Sequence, residues 1–317
     1  MYRRNLFLLT LMIISIAAYA EPTGRIFVTN ENSNTISVID GKSHAIEATI
    51  EIGNRPRGIG LSPDSSELYV AVSEEDAIAV VDTKTLEVLR KFKAGSDPET
   101  FAVHPNGHIY ISNEDDAKAS VYDPKTGQLI IEIPVGLEPE GVAISPDGSR
   151  VIVTSESTNM LHVISVPDHQ IVANILVGAR PRDATFSGDN TLAYATTEIG
   201  GTVIKVDMVN NKILAKAALG EPDAKPKDVR LSRDEKTLYV AGGRANKVFV
   251  LDADTLEVKK GIPVGKRVWG LALSKDGKRV YTTDGVSGTV SVIDTATNEV
   301  TQTIEVGEFP WGVAIDD

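Results

Sequence analysis

Residues 135–155 read VGLEPEGVAISPDGSRVIVTS, and this phrase decides the fold because variants of it recur along the whole chain. Each variant begins with an apolar residue and glycine, continues in most copies as x-x-Pro, with glycine two residues later in three of them, and ends in a turn of the Ser-Pro-Asp-Gly type. Its anchoring glycines lie 42, 41, 42, 42, 45 and 42 residues apart, at Gly53, Gly95, Gly136, Gly178, Gly220, Gly265 and Gly307. A fixed period of this size is typical of a propeller or solenoid and replaces the two domains that length alone suggests.

Each repeat contains four short runs rich in valine, isoleucine, threonine and tyrosine. In the first repeat they are Arg57 to Ser62, Leu68 to Val72, Ala77 to Val81 and Val88 to Ala94. Such runs indicate half-buried strands. One four-stranded sheet would leave apolar faces in water, so the sheets must stack. The sequence therefore predicts an all-β, seven-bladed β-propeller with four antiparallel strands per blade.

The two ends of the chain complete each other. Phe309 to Ile315 supplies only the opening strand of a seventh repeat. The three missing strands match the runs at the other terminus, which are Arg25 to Asn30, Thr35 to Ile39 and Ile46 to Ile52. We therefore expect a ring closed by a blade shared between the N- and C-termini.

The first 20 residues have the pattern of a secretory signal peptide. Arg3 and Arg4 precede an apolar run from Leu6 to Ala18, and Ala18, Tyr19 and Ala20 form a small-x-small cleavage site. An N-terminal anchoring helix is the alternative. The expected organisation is a signal peptide at 1–20 and a propeller at 21–317, in a periplasmic monomer with no membrane insertion.

Composition excludes several kinds of function. The chain has no cysteine, which rules out disulfides, thiolate zinc sites, iron–sulfur clusters and covalently attached c-type haem. Its formal net charge of −12 argues against nucleic acid as a partner, since such binding neutralises phosphates with Lys and Arg. The five histidines have no third ligand at a suitable spacing, so we expect no metal site and no covalently bound cofactor.

Several short motifs resemble known propeller repeats. FVTN at 27–30 and the Ser-Pro-Asp-Gly turns resemble the YVTN family. SNEDDA at 112–117, RVWG at 267–270 and FPWG at 309–312 resemble the periplasmic β-propeller proteins associated with PQQ-dependent alcohol catabolism. This resemblance implies an association with PQQ, and a PQQ-dependent dehydrogenase or a transport component as partner.

Charged and aromatic residues flank the recurring proline, at the loops that enter the innermost strands. We expect these loops to form one mouth around the axis, and its candidate ligand- or partner-binding residues are Arg57, Glu99, Glu140, Arg180, Arg182, Lys227, Arg267, Trp269, Phe309 and Trp311. The basic residues would receive carboxylates, and the aromatic ones would stack on a flat ligand. Alternatively the charges form surface ion pairs between blades, such as Arg57 with Glu99 and Glu140 with Arg182.

A second set of candidates lies on the innermost strands, at positions where most repeats have a small residue. Asp183 and Asp228 replace the usual glycine, as does Thr100, and Arg230 stands where other repeats have alanine. Two carboxylates beside an arginine could bind a cation or act as acid and base, although an internal pairing of Asp228 with Arg230 explains them equally well.

The recurring aspartates at the ends of third strands have a structural interpretation. Each can accept backbone N–H groups of its own turn. The set comprises Asp40, Asp82, Asp123, Asp207, Asp252 and Asp294.

The functional prediction is a non-catalytic binding or docking propeller whose loop face holds a partner protein or a small anionic or aromatic ligand. No catalytic residue is assigned. The alternative is a lyase or lactonase acting at the channel mouth.

Overall fold

The computed structural model describes residues 21–221 and 223–317, so the predicted signal peptide lies outside the described residues. Strands account for nearly all the regular structure in this part of the chain, with one 3₁₀ turn at Ser73–Glu75. No helix among the described residues is long and apolar enough to cross a membrane.

The strands form seven four-stranded antiparallel sheets, or blades. Blade 7 contains β1 (Arg25–Asn30), β2 (Thr35–Asp40), β3 (Ile46–Glu51) and the last strand of the chain. Blade 1 is β4 (Pro56–Leu61), β5 (Glu67–Val72), β6 (Ala77–Asp82) and β7 (Val88–Lys93). Blade 2 is β8 (Pro98–Val103), β9 (Ile109–Asn113), β10 (Lys118–Asp123) and β11 (Gln128–Pro134). Blade 3 is β12 (Pro139–Ile144), β13 (Arg150–Ser155), β14 (Met160–Ser165) and β15 (Ile171–Leu176).

The second half of the chain repeats the pattern. Blade 4 is β16 (Pro181–Phe186), β17 (Leu192–Thr197), β18 (Thr202–Asp207) and β19 (Lys212–Ala218). Blade 5 is β20 (Pro226–Leu231), β21 (Thr237–Gly242), β22 (Lys247–Asp252) and β23 (Val258–Pro263). Blade 6 is β24 (Val268–Leu273), β25 (Arg279–Asp284), β26 (Thr289–Asp294) and β27 (Glu299–Glu305), and β28 (Pro310–Asp316) then completes blade 7.

The ring closes as predicted. β28 pairs antiparallel with β1, with Phe27 opposite Ala314 and Ile26 opposite Ile315. The seven first strands contact one another in sequence around the axis, from β4 through β24 to β28 and back to β4. The predicted seven-bladed propeller is therefore confirmed, and the pairing of β28 with β1 completes the blade that the two termini share.

Each core lies between two neighbouring blades. In β1, Ile26 and Val28 pack with Tyr281 and other residues of blade 6, whereas Phe27 on the opposite face packs with Leu68 and other residues of blade 1. Successive side chains of a strand point to opposite faces. Both faces of the sheet are thus buried, which explains the almost continuous apolar runs.

Close packing near the axis explains the glycines of the innermost strands. A Cβ atom added to Gly270 would lie 2.7 Å from the carbonyl oxygen of Trp311, and one added to Gly312 would lie 2.8 Å from that of Arg57. Each of these glycines therefore lets the backbone of the next blade approach, and a side chain there would push neighbouring blades apart.

The recurring aspartates cap their turns as expected. Asp82 accepts the backbone N–H groups of Lys84 and Thr85 at 2.9 and 2.7 Å. The other members of the set bond their own turns in the same way. Hydrogen bonds from Thr85 contribute most to lowering the pKa of Asp82 below its usual value.

Candidate functional site

The mouth is built from seven equivalent loops whose backbone is unusual. The residue before the proline position has a positive φ in every blade although none is glycine, with values from 44° to 62° at Arg55, Asp97, Glu138, Arg180, Lys225, Arg267 and Phe309. This conformation costs about 1–2 kcal/mol for an ordinary residue. The surrounding loops must therefore hold it in place.

Two sets of hydrogen bonds hold these loops. The loop between the second and third strands donates a backbone N–H to the strained residue, as from Glu198 to Arg180 at 2.7 Å and from Gly285 to Arg267 at 2.9 Å. Hydroxyl groups on second strands also donate to carbonyls of the next blade, as from Thr283 to Trp311 at 2.7 Å. The mouth side chains are therefore presented by a rigid backbone.

One group of charged residues, here called the acidic cluster, spans blades 7, 1 and 2. Its members are Glu31, Arg55, Arg57, Asp97, Glu99 and Glu114. Glu99 is fully buried and pairs closely with Arg57, which also lies 3.0 Å from Glu31. Arg55 lies 3.1 Å from Asp97 and 3.7 Å from Glu99. Three carboxylates thus share two guanidinium groups, and the fourth, Glu114, lies close to Asp97 and Glu99.

A second group, here called the basic cluster, spans blades 3 to 6. Its members are Glu140, Glu156, Arg180, Arg182, Glu198, Lys227, Arg244 and Arg267. Arg182 pairs closely with Glu140 and Glu156 and lies 3.6 Å from Glu198. Five cationic groups therefore accompany three carboxylates.

The predicted pairs of Arg57 with Glu99 and of Glu140 with Arg182 exist, but they are buried rather than on the surface. Glu99 is 0% exposed and Arg182 is 8% exposed. An exposed pair contributes about 0–1 kcal/mol, whereas breaking a buried one costs about 3–5 kcal/mol. These residues are consequently part of what holds the mouth together.

Burial shifts the pKa values of two side chains in the basic cluster, those of Lys227 and Glu156. It lowers the pKa of Lys227 to about 7, with Arg182 adding to the effect. Burial, together with the neighbouring Glu140, raises the pKa of Glu156 to about 7. Burial would also raise the pKa of Glu198, but Lys227 and Arg182 outweigh it and the net shift is downward. The cluster therefore contains an amine and a carboxyl group that both titrate near neutral pH.

The two tryptophans lie together, as their matching positions in the repeats predict. Their ring centroids are 6.4 Å apart and the rings are stacked at 22°. Three cations lie over the ring of Trp269, with Lys227 at 4.3 Å, Arg267 at 4.8 Å and Arg182 at 5.7 Å from its centroid. Phe309 is 37% exposed at the rim and is not part of the central cavity wall.

Arg267 differs from Arg55, Arg57, Arg180 and Arg182, which all pair with carboxylates. Within residues 21–221 and 223–317, no carboxylate oxygen lies within 4.0 Å of its guanidinium. Burial and then the neighbouring Arg244 lower its pKa. Arg267 is thus a partly buried cation whose charge is opposed by Arg244, Arg182 and Arg180 and favoured by Glu198, which does not form an ion pair with it.

A cavity of about 120 Å³ lies at the axis below these groups. Its wall includes Arg182, Asp183, Lys227, Asp228, Trp269 and Trp311. Arg230 lines both this cavity and a second one of about 610 Å³ towards the opposite face of the ring.

Asp183, Asp228 and Arg230, which replace small residues of the innermost strands, lie together at the axis. Arg230 lies 2.9 Å from Asp183 and 2.9 Å from Asp228. Asp228 also accepts the backbone N–H of Leu271 at 2.9 Å. Burial raises the pKa of Asp228 well above its usual value, and the charge of Asp183 adds to the shift although Arg230 opposes it. The internal pairing considered from the sequence is therefore present, and it includes both carboxylates.

Three carboxylates of the acidic cluster come close enough to be examined as a metal site. Oxygen atoms of Asp97, Glu99 and Glu114 lie within 4.8 Å of one another. Arg55 and Arg57 already pair with two of them. The arrangement is accounted for as an ion-pair network, and it is not assigned as a cation site.

The candidate site residues taken from the sequence do not include Glu156 and Glu198. Both are buried and pair with Arg182, Arg180 or Lys227. The available signal was their position one residue after a second strand, where Glu31 and Glu114 also stand. Burial between blades cannot be seen from that position alone.

Solved structures share this fold at low sequence identity. Hydrazine synthase of Kuenenia stuttgartiensis is 19% identical, with a TM-score of 0.79 over 90% of this chain and 99% of that chain. A functionally unknown protein from Desulfotomaculum acetoxidans is 18% identical, with a TM-score of 0.82 over 92% and 99%. A 6-phosphogluconolactonase candidate from Bacteroides fragilis is 18% identical, with a TM-score of 0.77 over 93% and 99%. At these identities the similarity shows the fold alone.

Sequence comparisons give one short match and one family. A PE-PGRS family protein of Mycobacterium tuberculosis is 48% identical over 42 residues, which span 13% of this chain and 9% of that relative. Residues 98–279, more than half of the chain, match the profile of the Choice-of-anchor I domain. The chain therefore belongs to the Choice-of-anchor I domain family.

Proposed function

We propose that this propeller is a non-catalytic binding protein that holds a small, planar, anionic ligand at the mouth, between the basic cluster and the paired tryptophans. The observation that carries the proposal is Arg267, a cation at the mouth with no carboxylate partner among the described residues. Charged groups in a partly buried setting are normally paired. A ligand carboxylate would supply the missing partner.

The charge balance of the mouth supports an anion rather than a cation at this position. Arg180, Arg182 and Lys227 are already occupied by carboxylates of the protein. Arg244 and Arg267 remain as the excess positive charge, so a bound anion would be attracted without breaking existing pairs. Guanidinium groups bind carboxylates with two parallel hydrogen bonds, which also orients the ligand.

The aromatic wall supports a flat ligand. Trp269 and Trp311 both line the cavity and are only partly buried. Aromatic faces bind flat rings by offset stacking, worth about 0.5–1.5 kcal/mol beyond the area buried. Together with Arg267 they favour an aromatic or quinone-like carboxylate over a simple inorganic anion.

The cellular location and the partners of this protein are also proposals. The family description refers to an anchor and indicates an extracellular or surface protein. The motif resemblance supports a periplasmic protein that acts with PQQ-dependent alcohol oxidation, docking a dehydrogenase or a transport component. Under this proposal, PQQ itself, which carries carboxylates on a fused aromatic frame, is the first ligand to test.

Tryptophan fluorescence gives a direct test, since both tryptophans of the chain lie at the mouth. PQQ, benzoate and benzyl alcohol would be titrated into the protein. We expect saturable quenching by the two carboxylates and none by the alcohol. The variant Arg267→Met should weaken carboxylate binding on the order of tenfold to a hundredfold. The matched control is Lys266→Met, which removes a positive charge from the exposed neighbouring residue and should leave the affinity unchanged. Equal affinity in both variants would refute the assignment.

A second candidate function, a lyase or lactonase, rests on the axis group. Burial raises the pKa of Asp228, and Arg230 bridges this carboxyl group to Asp183, at 2.9 Å from each. Such a pair can donate and accept a proton in general acid–base catalysis. Incubation with sugar-phosphate lactones and detection of acid release would test it. Turnover that Asp228→Asn abolishes, with folding unchanged, would favour this candidate over pure binding.

A further inference from the structure

We propose that Lys227 forms an imine with the aldehyde or ketone group of a planar carboxylate bound at the mouth. The inference rests on the proposed binding function and deepens it by assigning a covalent contact. Lys227 belongs to the wall of the central cavity, and its ammonium nitrogen lies 4.3 Å from the ring centroid of Trp269 and 2.7 Å from a carboxylate oxygen of Glu198.

The environment of Lys227 keeps its amine available. The residue is 5% exposed, with the aromatic wall on one side and the guanidinium of Arg182 nearby. Burial and this neighbouring charge lower the pKa of Lys227 to about 7, so that a large part of it is neutral at neutral pH. An ordinary lysine is neutral in only about one molecule in a few thousand under the same conditions. Desolvated lysines beside a second cation are the type that reacts with carbonyl groups.

The chemistry needs nothing beyond the residues described. The lone pair of the Lys227 nitrogen attacks the carbonyl carbon and forms a C–N bond, while the carbonyl π electrons move to oxygen. Both nitrogen-bound protons are transferred to that oxygen, and water leaves as the C=N bond forms. Glu198, already bonded to the amine, can accept and return the transferred proton. No oxidant or reductant takes part.

The position of Arg267 makes the proposed reaction selective for anionic carbonyl compounds. Arg267 and Lys227 both lie over the ring of Trp269. A flat ligand stacked at this wall can therefore place a carboxylate at Arg267 and a carbonyl carbon at Lys227. A neutral aldehyde would lack the first of these contacts.

Reductive trapping distinguishes the imine from a purely structural Lys227–Glu198 pair. The protein would be incubated at pH 7 with 4-carboxybenzaldehyde and cyanoborohydride, digested, and mapped by mass spectrometry. We expect a single secondary-amine adduct at Lys227, formed at least tenfold faster than at the exposed Lys266. Benzaldehyde should label Lys227 at least tenfold more slowly, and Lys227→Arg should abolish the adduct while keeping the native circular dichroism spectrum.

A matched ligand separates failure of this inference from failure of the binding proposal. 4-(Hydroxymethyl)benzoate has the same carboxylate and ring but no carbonyl group, so it should quench tryptophan fluorescence and slow the trapping. Quenching by both compounds without an adduct at Lys227 would overturn the imine and leave the binding function in place. Absence of both quenching and adduct would overturn both. Equal labelling of Lys227 and exposed lysines would also overturn the imine, since it would show no special reactivity.

Discussion

The acidic and basic clusters occupy equivalent loops of the same ring, yet their charges are balanced differently. In the acidic cluster Glu31, Asp97 and Glu99 share Arg55 and Arg57, and both guanidinium groups have a carboxylate partner. In the basic cluster five cations accompany three carboxylates, and Arg267 has no such partner in the described part of the chain. Equivalent loop positions of different blades can therefore have different roles. In the acidic cluster their charges stabilise the contact between blades, and in the basic cluster one of them presents an unpaired charge.

The largest expected effect comes from removing the central guanidinium of the basic cluster. In Arg182→Met the buried Glu140 would have no cationic partner among the described residues, because Glu140 forms its ion pair with Arg182. We expect the free energy of unfolding to fall by about 3–5 kcal/mol. Urea denaturation followed by circular dichroism measures this change.

Two matched variants sharpen that result. Arg57→Met in the acidic cluster should cost less, about 1–3 kcal/mol, because Arg55 lies 3.7 Å from Glu99 and 3.3 Å from Glu31 and retains part of the pairing. Lys278→Met removes an exposed pair with Asp276 and should change stability by no more than about 0.5 kcal/mol. Equal losses in all three variants would contradict the distinction between buried and exposed pairs.

An intermediate effect is expected in the pH dependence of carboxylate binding. As pH rises through about 7, Lys227 loses its positive charge and Glu156 gains a negative one. Both changes disfavour an anion, so the Kd for benzoate, which stays ionised throughout, should increase about fivefold to tenfold between pH 6 and pH 8. Fluorescence titration at several pH values measures it.

The contributions of the two groups can be separated. Lys227→Arg keeps the positive charge and should flatten most of the pH dependence, and Glu156→Gln should remove the remainder. A Kd that stays constant in the unmodified protein over this range would show that neither group faces the bound anion.

The smallest expected change in stability comes from Glu114, a carboxyl group of the acidic cluster that has other carboxylates nearby. Burial, together with Glu140 and Asp97, raises the pKa of Glu114. A carboxyl whose pKa is raised on folding stabilises the protein below its unfolded pKa and loses that contribution as pH rises through the folded value. Glu114→Gln should therefore increase the free energy of unfolding at pH 7 by up to about 1 kcal/mol, with little change near pH 4. Thermal unfolding at both pH values checks this, and a loss of stability at pH 7 would contradict it.

Most of the fold could be predicted from the sequence because it depends on local patterns. The expected run from Leu68 to Val72 is β5 at Glu67–Val72, and the expected run from Ala77 to Val81 is β6 at Ala77–Asp82. Pairing of the terminal strands also followed from counting four runs per repeat. The Trp269–Trp311 stack was predictable for the same reason, since equivalent positions of adjacent blades must be neighbours.

The candidate site could be predicted only in part. Its positions were visible as loops flanking the recurring proline, and so was the pair of Glu140 with Arg182, but the roles of Glu156 and Glu198 were not. Both come from second-to-third-strand loops. Glu156 pairs with Arg180 and Arg182 of the next blade, and Glu198 reaches Lys227 of the next blade. Contacts of this kind depend on side-chain direction and burial across a blade boundary, which no local pattern records.

The sequence by itself determined the repeat, the number of blades, their strands and the closure of the ring, because period and alternation are properties of neighbouring residues. Only the tertiary structure decided which mouth charges neutralise each other, and that in the described part of the chain no carboxylate oxygen lies within 4.0 Å of the Arg267 guanidinium. The physical reason is that the strength of a charge–charge interaction depends on distance and on exclusion of water, and both are set only when the seven blades are packed together.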